Sequence, residues 1–245
     1  MATPDVVVWE ADGKPLPWLG YGARLAAPLR AMGARVRVVP YRRRPLTPAE
    51  LAAPVHLLSG GETTSFSGDP ATVRALADLT ELLGRAWRGE ATVLGVCLGA
   101  QLVARGIAPG LPQSFPARGM EAGLCTVYGP GGPLRVAELH YEDIHPSFAE
   151  IGGVEVTHTN GHSRVQGFRW GETVAGYQFH PEWSPRDAAS ALDRHLTLLD
   201  TRHADPASAR ASVTAGADAW SERTAWELLV APAVRALGLR AAQAA

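Results

Sequence analysis

The 245-residue chain is short of cysteine, of long apolar runs and of excess charge. Its two cysteines, Cys97 and Cys125, lie 28 positions apart, and neither Cys-x-x-Cys nor His-Glu-x-x-His occurs. That argues against a disulfide-stapled secreted scaffold and for a reducing, cytoplasmic setting. No apolar stretch approaches the roughly 20 residues needed to span a membrane. Met1–Pro4 lacks the basic and apolar regions of a signal peptide. Formal net charge is −1, and the one compact basic run, Arg42-Arg43-Arg44, reads as a solvated turn after a strand. Neither a nucleic-acid nor a membrane partner is expected.

Phosphate and metal chemistry are equally poorly served. The glycines of Gly129-Pro130-Gly131-Gly132-Pro133 read as a hairpin turn, because no strand–glycine turn–helix context surrounds them. Neither an ATP loop nor a synthase domain is visible, and no cofactor is expected. Four histidines, His140, His145, His158 and His162, fall close together. The four-residue spacing of His158 and His162 gathers ligands only on a helix, whereas Thr159-Asn160-Gly161 between them signals a turn. No metal site is expected there.

What is present is an alternation of strands and helices. Asp5–Trp9, Arg35–Val39, Val55–Ser59 and Ala91–Val96 read as strands, with helices over Gly22–Met32, Pro70–Trp87 and Leu98 to about Arg105. Such alternation predicts an α/β fold: an open, mostly parallel sheet flanked by helices. From Ile107 to Arg169 the apolar runs shorten and Gly and Pro multiply. An antiparallel extension is predicted there, before the chain returns with Val174–Phe179. Cys125 lies in a strand-like stretch, Gly123–Tyr128, and reads as an inert core residue.

The most informative segment is Gly95-Val96-Cys97-Leu98-Gly99-Ala100-Gln101, directly after the apolar run Ala91-Thr92-Val93-Leu94. A buried strand entering a Gly-x-Cys-x-Gly turn and then a helix is a nucleophile elbow. The thiol at its apex stands at a helix N-terminus, where the macrodipole and unpaired N–H groups favour a thiolate. The same N–H groups, that of Leu98 first, can donate to an oxyanion. A second motif is Tyr177-Gln178-Phe179-His180-Pro181-Glu182. Residues two apart on a strand share a face, so Glu182 can hold one ring nitrogen of His180 while the other faces a thiol. Cys97, His180 and Glu182 then form a nucleophile–base–acid triad.

Together these motifs resemble those of the class I, triad-type glutamine amidotransferases, over roughly residues 5 to 200. Val55-His56-Leu57-Leu58-Ser59-Gly60-Gly61 resembles the strand and glycine turn that completes that family's oxyanion hole, with Glu62 where the family usually has proline. The resemblance implies L-glutamine as substrate, hydrolysed to glutamate and ammonia. It implies Gly60, Gly61 and Leu98 as the oxyanion hole and Gln101 as a substrate-positioning residue. His162 and Ser163 are carried over as substrate binders, from the place where relatives hold glutamine by a loop. A separate synthase receiving the ammonia is the expected partner. The polar loop Glu62–Gly68, with Phe66 read as exposed, suits that contact. A stand-alone γ-glutamyl hydrolase or peptidase and a regulatory pseudo-amidotransferase remain alternatives.

Residues 1–200 are expected to form this domain, and 201–245 a helical C-terminal extension. Within it Ala225, Trp226, Leu229, Val230, Val234 and Leu237 fall at helical intervals from Ser221 to Leu239, broken by Pro232. A helix pair folding back over the sheet is the favoured arrangement.

Overall fold

In the computed structural model, which describes residues 3–11, 20–117, 119–195, 205–215, 224 and 226–238, the first strand β1 (Val6–Glu10) is apolar along most of its length. The reason is that both of its faces are covered. Val7 and Trp9 enter one core, with Leu58, Val93, Leu79 and Leu102, while Val6 and Val8 enter a second, with Leu25, Leu29, Val55 and Leu57. The helices and strands that make these layers are, in chain order, α1 (Tyr21–Ala31), β2 (Val36–Pro40), α2 (Pro48–Leu51), β3 (Val55–Leu58), α3 (Pro70–Trp87), β4 (Thr92–Val96), α4 (Leu98–Ile107), β5 (Glu121–Gly129) and β6 (Gly132–His140). They continue as β7 (Val154–His158), β8 (Gly167–Trp170), β9 (Val174–Tyr177), α5 (Pro185–Arg194), α6 (Pro206–Ala215) and α7 (Ala231–Ala236).

The main sheet has the order β2-β1-β3-β4-β9-β8-β7. Its first five strands run parallel, and β8 and β7 continue it antiparallel. The α/β reading from the sequence is correct. α3 spans the residues its spacing predicts: Pro70 opens it, the Asp69 carboxylate accepts from the Ala71 and Thr72 amides, and Ala75, Leu79, Leu82, Leu83 and Ala86 form its buried stripe. The arginine run is a turn after β2, but two of its side chains are paired, Arg42 with Asp69 at 3.3 Å and Arg44 with Glu50 at 2.7 Å.

The antiparallel region divides in two. β7 and β8 join the main sheet, whereas β5 and β6 form a separate two-stranded hairpin turned through Gly129–Gly132. Gly132 takes φ +98°, a conformation that favours glycine at the turn. The hairpin packs on α5 and α6 through Met120, Leu124, Trp183, Leu192 and Val213. The Leu124 amide donates to Ser212 Oγ at 2.8 Å, which ties α6 to the hairpin.

Beyond it, a π-helical turn at Trp226–Val230 leads into α7, and Leu229, Val230, Ala233 and Val234 join the core around Val6 and Val8. The missing N–H of Pro232 accounts for the irregular turn before it. This part of the tail thus covers the sheet. The expected boundary at 200/201, the start at Ser221, Ala225, the side chain of Trp226 and the end at Leu239 lie outside the described residues. Among the described residues no helix is long and apolar enough to cross a membrane.

Candidate active site

The turn at Cys97 is held by contact between backbones. β4 is buried at every position and runs straight into α4, with Cys97 as the helix N-cap. Cys97 has φ 50° and ψ −114°, and no other non-glycine among the described residues has a positive φ. A Cβ on Gly95 would lie 2.6 Å from the Gly99 carbonyl carbon, and one on Gly99 would enter the Leu58 carbonyl of β3. The two glycines therefore let the turn sink onto the neighbouring strand, and the residue between them carries the strain. No side chain caps α4, so its first-turn N–H groups, Leu98 among them, lack helical acceptors.

His180 comes from the chain just beyond β9. The strand expected over Val174–Phe179 ends at Tyr177. His180 makes only an isolated bridge, its N–H donating to the Ala137 carbonyl at 2.8 Å, and Pro181 has no N–H to continue a ladder. The pairing expected from the spacing is still present, with His180 Nδ1 2.9 Å from Glu182 Oε1. The Cys97 side chain is the ring's other close electrostatic partner. Burial disfavours the imidazolium, but the charges of Glu182 and Cys97 overcome it and raise the His180 pKa to about 10. Trp183 stacks on the imidazole, and Tyr21 lies tilted beside it at 6.1 Å. A Cβ on Gly60 would come within 2.7 Å of His180 Cε1 and 3.4 Å of Cys97 Cβ, so Gly60 is pressed against the pair.

A cavity of about 540 Å³ opens above the thiol. Cys97, His180, Gly61, Leu98 and Gln101 all line it, whereas Gly60 and Glu182 do not. Gln101 acts as a strut: its Nε2 donates to the Glu142 carbonyl at 2.9 Å, and Gln178 Nε2 donates to the same oxygen at 3.0 Å. His162 and Ser163 are not on the cavity wall. Both of their amides donate to Asn160 Oδ1 at 2.9 Å, and this turn draws Ser163 into the interior. The wall is built instead by Leu139–Glu142, which leave the end of β6, and by Thr63 and Thr64. From the sequence, Leu139–Glu142 had no expected role, and the loop holding Thr63 and Thr64 was expected to meet a partner rather than line the cavity. The signal at Leu139–Glu142 is the abrupt change from an apolar strand to His140-Tyr141-Glu142-Asp143, a polar strand end.

Phe66 is half-buried rather than exposed, because the Arg105 guanidinium covers its ring at 4.4 Å. Arg105 also donates to the Ser65 carbonyl. Thr64 Oγ1 donates to Glu142 Oε2 at 2.7 Å, joining this loop to the opposite wall.

His140 in this wall also belongs to a buried polar cluster with Glu121 and Glu138. Burial and the neighbouring Glu121 raise the Glu138 pKa to about 8. Burial opposes charge on His140 as well, yet the two carboxylates beside it hold its pKa well above the ordinary histidine value.

An open parallel sheet with a thiol on a strained strand–helix turn, and a histidine–carboxylate pair brought to it from a neighbouring strand end, defines an α/β protein of nucleophile-elbow type. Residues 19–197 match the family model "Glutamine amidotransferase class-I", and the chain belongs to that family. No curated protein sequence matches the chain. Among solved structures it is similar to a glutamine amidotransferase from Thermotoga maritima, with 18% identity, TM-score 0.70 and coverage of 97% of this chain and 99% of the other. A glutamine amidotransferase from Methylobacillus flagellatus has 17% identity, TM-score 0.70 and coverage of 100% and 99%. From Thermoplasma acidophilum, a protein described as one subunit of a putative GMP synthase has 21% identity, TM-score 0.56 and coverage of 75% and 86%. At these identities the likeness is one of fold.

Proposed function

We propose that the protein is a glutaminase subunit that hydrolyses L-glutamine to glutamate and ammonia and supplies the ammonia to a separate biosynthetic synthase. The observation that carries the reading is the chain of contacts from Cys97 to His180 to Glu182 beneath a cavity large enough for an amino acid. Cys97 is the nucleophile and His180 the base that takes its proton, with Glu182 raising the affinity of His180 for that proton. Attack on the glutamine amide carbon forms a tetrahedral oxyanion. The N–H of Leu98 and those of the Gly60–Gly61 turn stabilise it. His180 then gives its proton to the departing nitrogen, releasing ammonia and leaving a γ-glutamyl thioester. Water, deprotonated by His180, attacks the thioester; glutamate departs and the proton returns to the Cys97–His180 pair. Gln101 acts through the wall it braces, and the binding roles first given to His162 and Ser163 pass to Tyr141 and Glu142.

Membership of the amidotransferase family supports glutamine as the substrate. The description of one fold relative as a GMP synthase subunit fits a partner synthase. A second reading, a γ-glutamyl hydrolase, is favoured by the cavity, which exceeds what glutamine alone fills. The test is steady-state turnover of glutamine and of a γ-glutamyl anilide by wild type, Cys97→Ala, His180→Ala and Glu182→Gln. Glutamine turnover lost in Cys97→Ala and His180→Ala, and reduced less in Glu182→Gln, is the expected result. Anilide cleavage without glutamine cleavage would transfer the assignment to the hydrolase.

A further inference from the structure

The buried cluster at the cavity wall has a geometry that an ion pair leaves unexplained. Glu121 and His140 are direct partners across the β5–β6 hairpin, and Glu138 stands opposite Gly123, two residues back on the same strand as His140. Period-two alternation puts all three side chains on one face. His140 Nε2 lies 3.2 Å from Glu138 Oε2 and 3.3 Å from Glu121 Oε2. Apart from these approaches, Nε2 and both oxygens of Glu138 have no hydrogen-bond partner. The Glu138 side chain is completely buried. Two fully buried carboxyl groups share this one imidazole, and their burial carries a large desolvation cost that a single cation only partly offsets.

The geometry points to a divalent metal site of zinc type, with Glu121 Oε2, Glu138 Oε2 and His140 Nε2 as ligands. Zinc holds nitrogen and oxygen ligands at about 2.0–2.1 Å in a tetrahedron, which sets ligand atoms about 3.3 Å apart. The two separations from Nε2 match that edge. The outer contacts are those a metal-binding histidine and carboxylate require. His140 Nδ1 lies 3.1 Å from the Glu142 carbonyl; as its donor it leaves the Nε2 lone pair facing the two carboxylates. Asn160 Nδ2 donates to Glu121 Oε1 at 2.5 Å and Gln166 Nε2 to Glu121 Oε2 at 2.6 Å, orienting that carboxylate. A dication would displace the protons the cluster otherwise holds, and two carboxylates with a neutral imidazole suit one of borderline softness.

The site would clamp β5 to β6 at the point where the chain leaves the hairpin to build the cavity wall at Tyr141–Glu142. This inference does not depend on the glutaminase reading, because its measurement is metal content. Cys97→Ala protein removes thiolate capture at the cavity, and zinc is titrated into it against a chromophoric chelator. One zinc per chain is expected, with affinity falling by at least about 100-fold in Cys97→Ala/Glu138→Gln and in Cys97→Ala/Glu121→Gln. Cobalt(II) in the Cys97→Ala protein gives a second measurement that needs no ligand mutant. Tetrahedral d–d bands without thiolate charge transfer are expected. Failure of the Cys97→Ala protein to bind zinc, equal binding in the glutamate variants, or a thiolate band from Cys125 would each overturn the proposal.

Discussion

The imidazole of His180 lies flat on the indole of Trp183, with ring centroids 3.7 Å apart and planes 9° apart. The stack fixes the plane of the imidazole, and the Glu182 bond at Nδ1 fixes its rotation within that plane. With both fixed, the remaining nitrogen has one direction, toward Cys97. Removing the stack while keeping the carboxylate should therefore loosen the base without deleting it. Trp183→Leu is expected to lower kcat for glutamine between about 10- and 100-fold, since small misplacements of reacting groups cost that much. Trp183→Phe keeps a flat partner and should retain most of the rate. Steady-state kinetics beside thermal melts separates the two effects. Equal rates in Trp183→Leu and wild type would show that the stack positions nothing.

The two thiols should differ sharply in reactivity. Cys97 lines the cavity beside His180. Burial, with the nearby carboxylates of Glu138 and Glu121, drives the Cys125 thiol far above its ordinary pKa. A diazo-ketone analogue of glutamine should label Cys97 and spare Cys125. Peptide mapping by mass spectrometry decides it, and preferential labelling of Cys125 would reverse the roles assigned to the two residues.

Much of this arrangement was legible in the sequence, for identifiable reasons. The parallel strands and α3 could be read because their burial produces continuous apolar runs or a helical stripe, both local patterns. The elbow and the His180–Glu182 pair could be read because each depends on spacing within a few residues. The cavity wall could not. Leu139–Glu142 reach the site only because the β5–β6 hairpin folds across it, and His162–Ser163 are withdrawn by the Asn160 turn. Glu121, Glu138 and His140 meet through a hairpin register that no one-dimensional pattern specifies. Phe66 looked exposed because its cover, Arg105, is 39 positions away in sequence.

The glycines of the elbow give a stability prediction with an internal control. An added methyl on Gly99 collides with the backbone of β3, which cannot move without breaking the sheet. Gly99→Ala should destabilise the fold by about 2–3 kcal/mol, in the range of severe overpacking, and abolish activity. Gly68 has open space where its Cβ would lie, and Gly68→Ala should fall within about 0.5 kcal/mol of wild type. Urea denaturation of the three proteins compares them directly. Similar midpoints for Gly99→Ala and Gly68→Ala would mean that the turn does not depend on the close approach.

A final prediction concerns pH and a histidine remote from the proposed chemistry. His56 is wholly buried in β3, where Nδ1 accepts from Trp9 Nε1 at 3.0 Å and Nε2 donates to the Ala53 carbonyl at 3.0 Å. Both nitrogens are committed in the neutral form, and a second proton would displace the indole. Burial lowers its folded pKa to about 4, against about 6.5 in an unfolded chain. Between those values the unfolded chain holds a proton that the folded one refuses, so stability rises with pH across the window. The contribution is complete above about pH 6.5 and is lost as pH falls toward 4, a total of about 3 kcal/mol. From pH 7 to 5 the loss should be about 2 kcal/mol. Other groups titrate in the same range, so the measurement is the difference between wild type and His56→Gln in urea unfolding at the two pH values. Wild type should lose about 2 kcal/mol more than the variant. Parallel losses in the two proteins would mean that His56 accepts its proton without leaving the folded state.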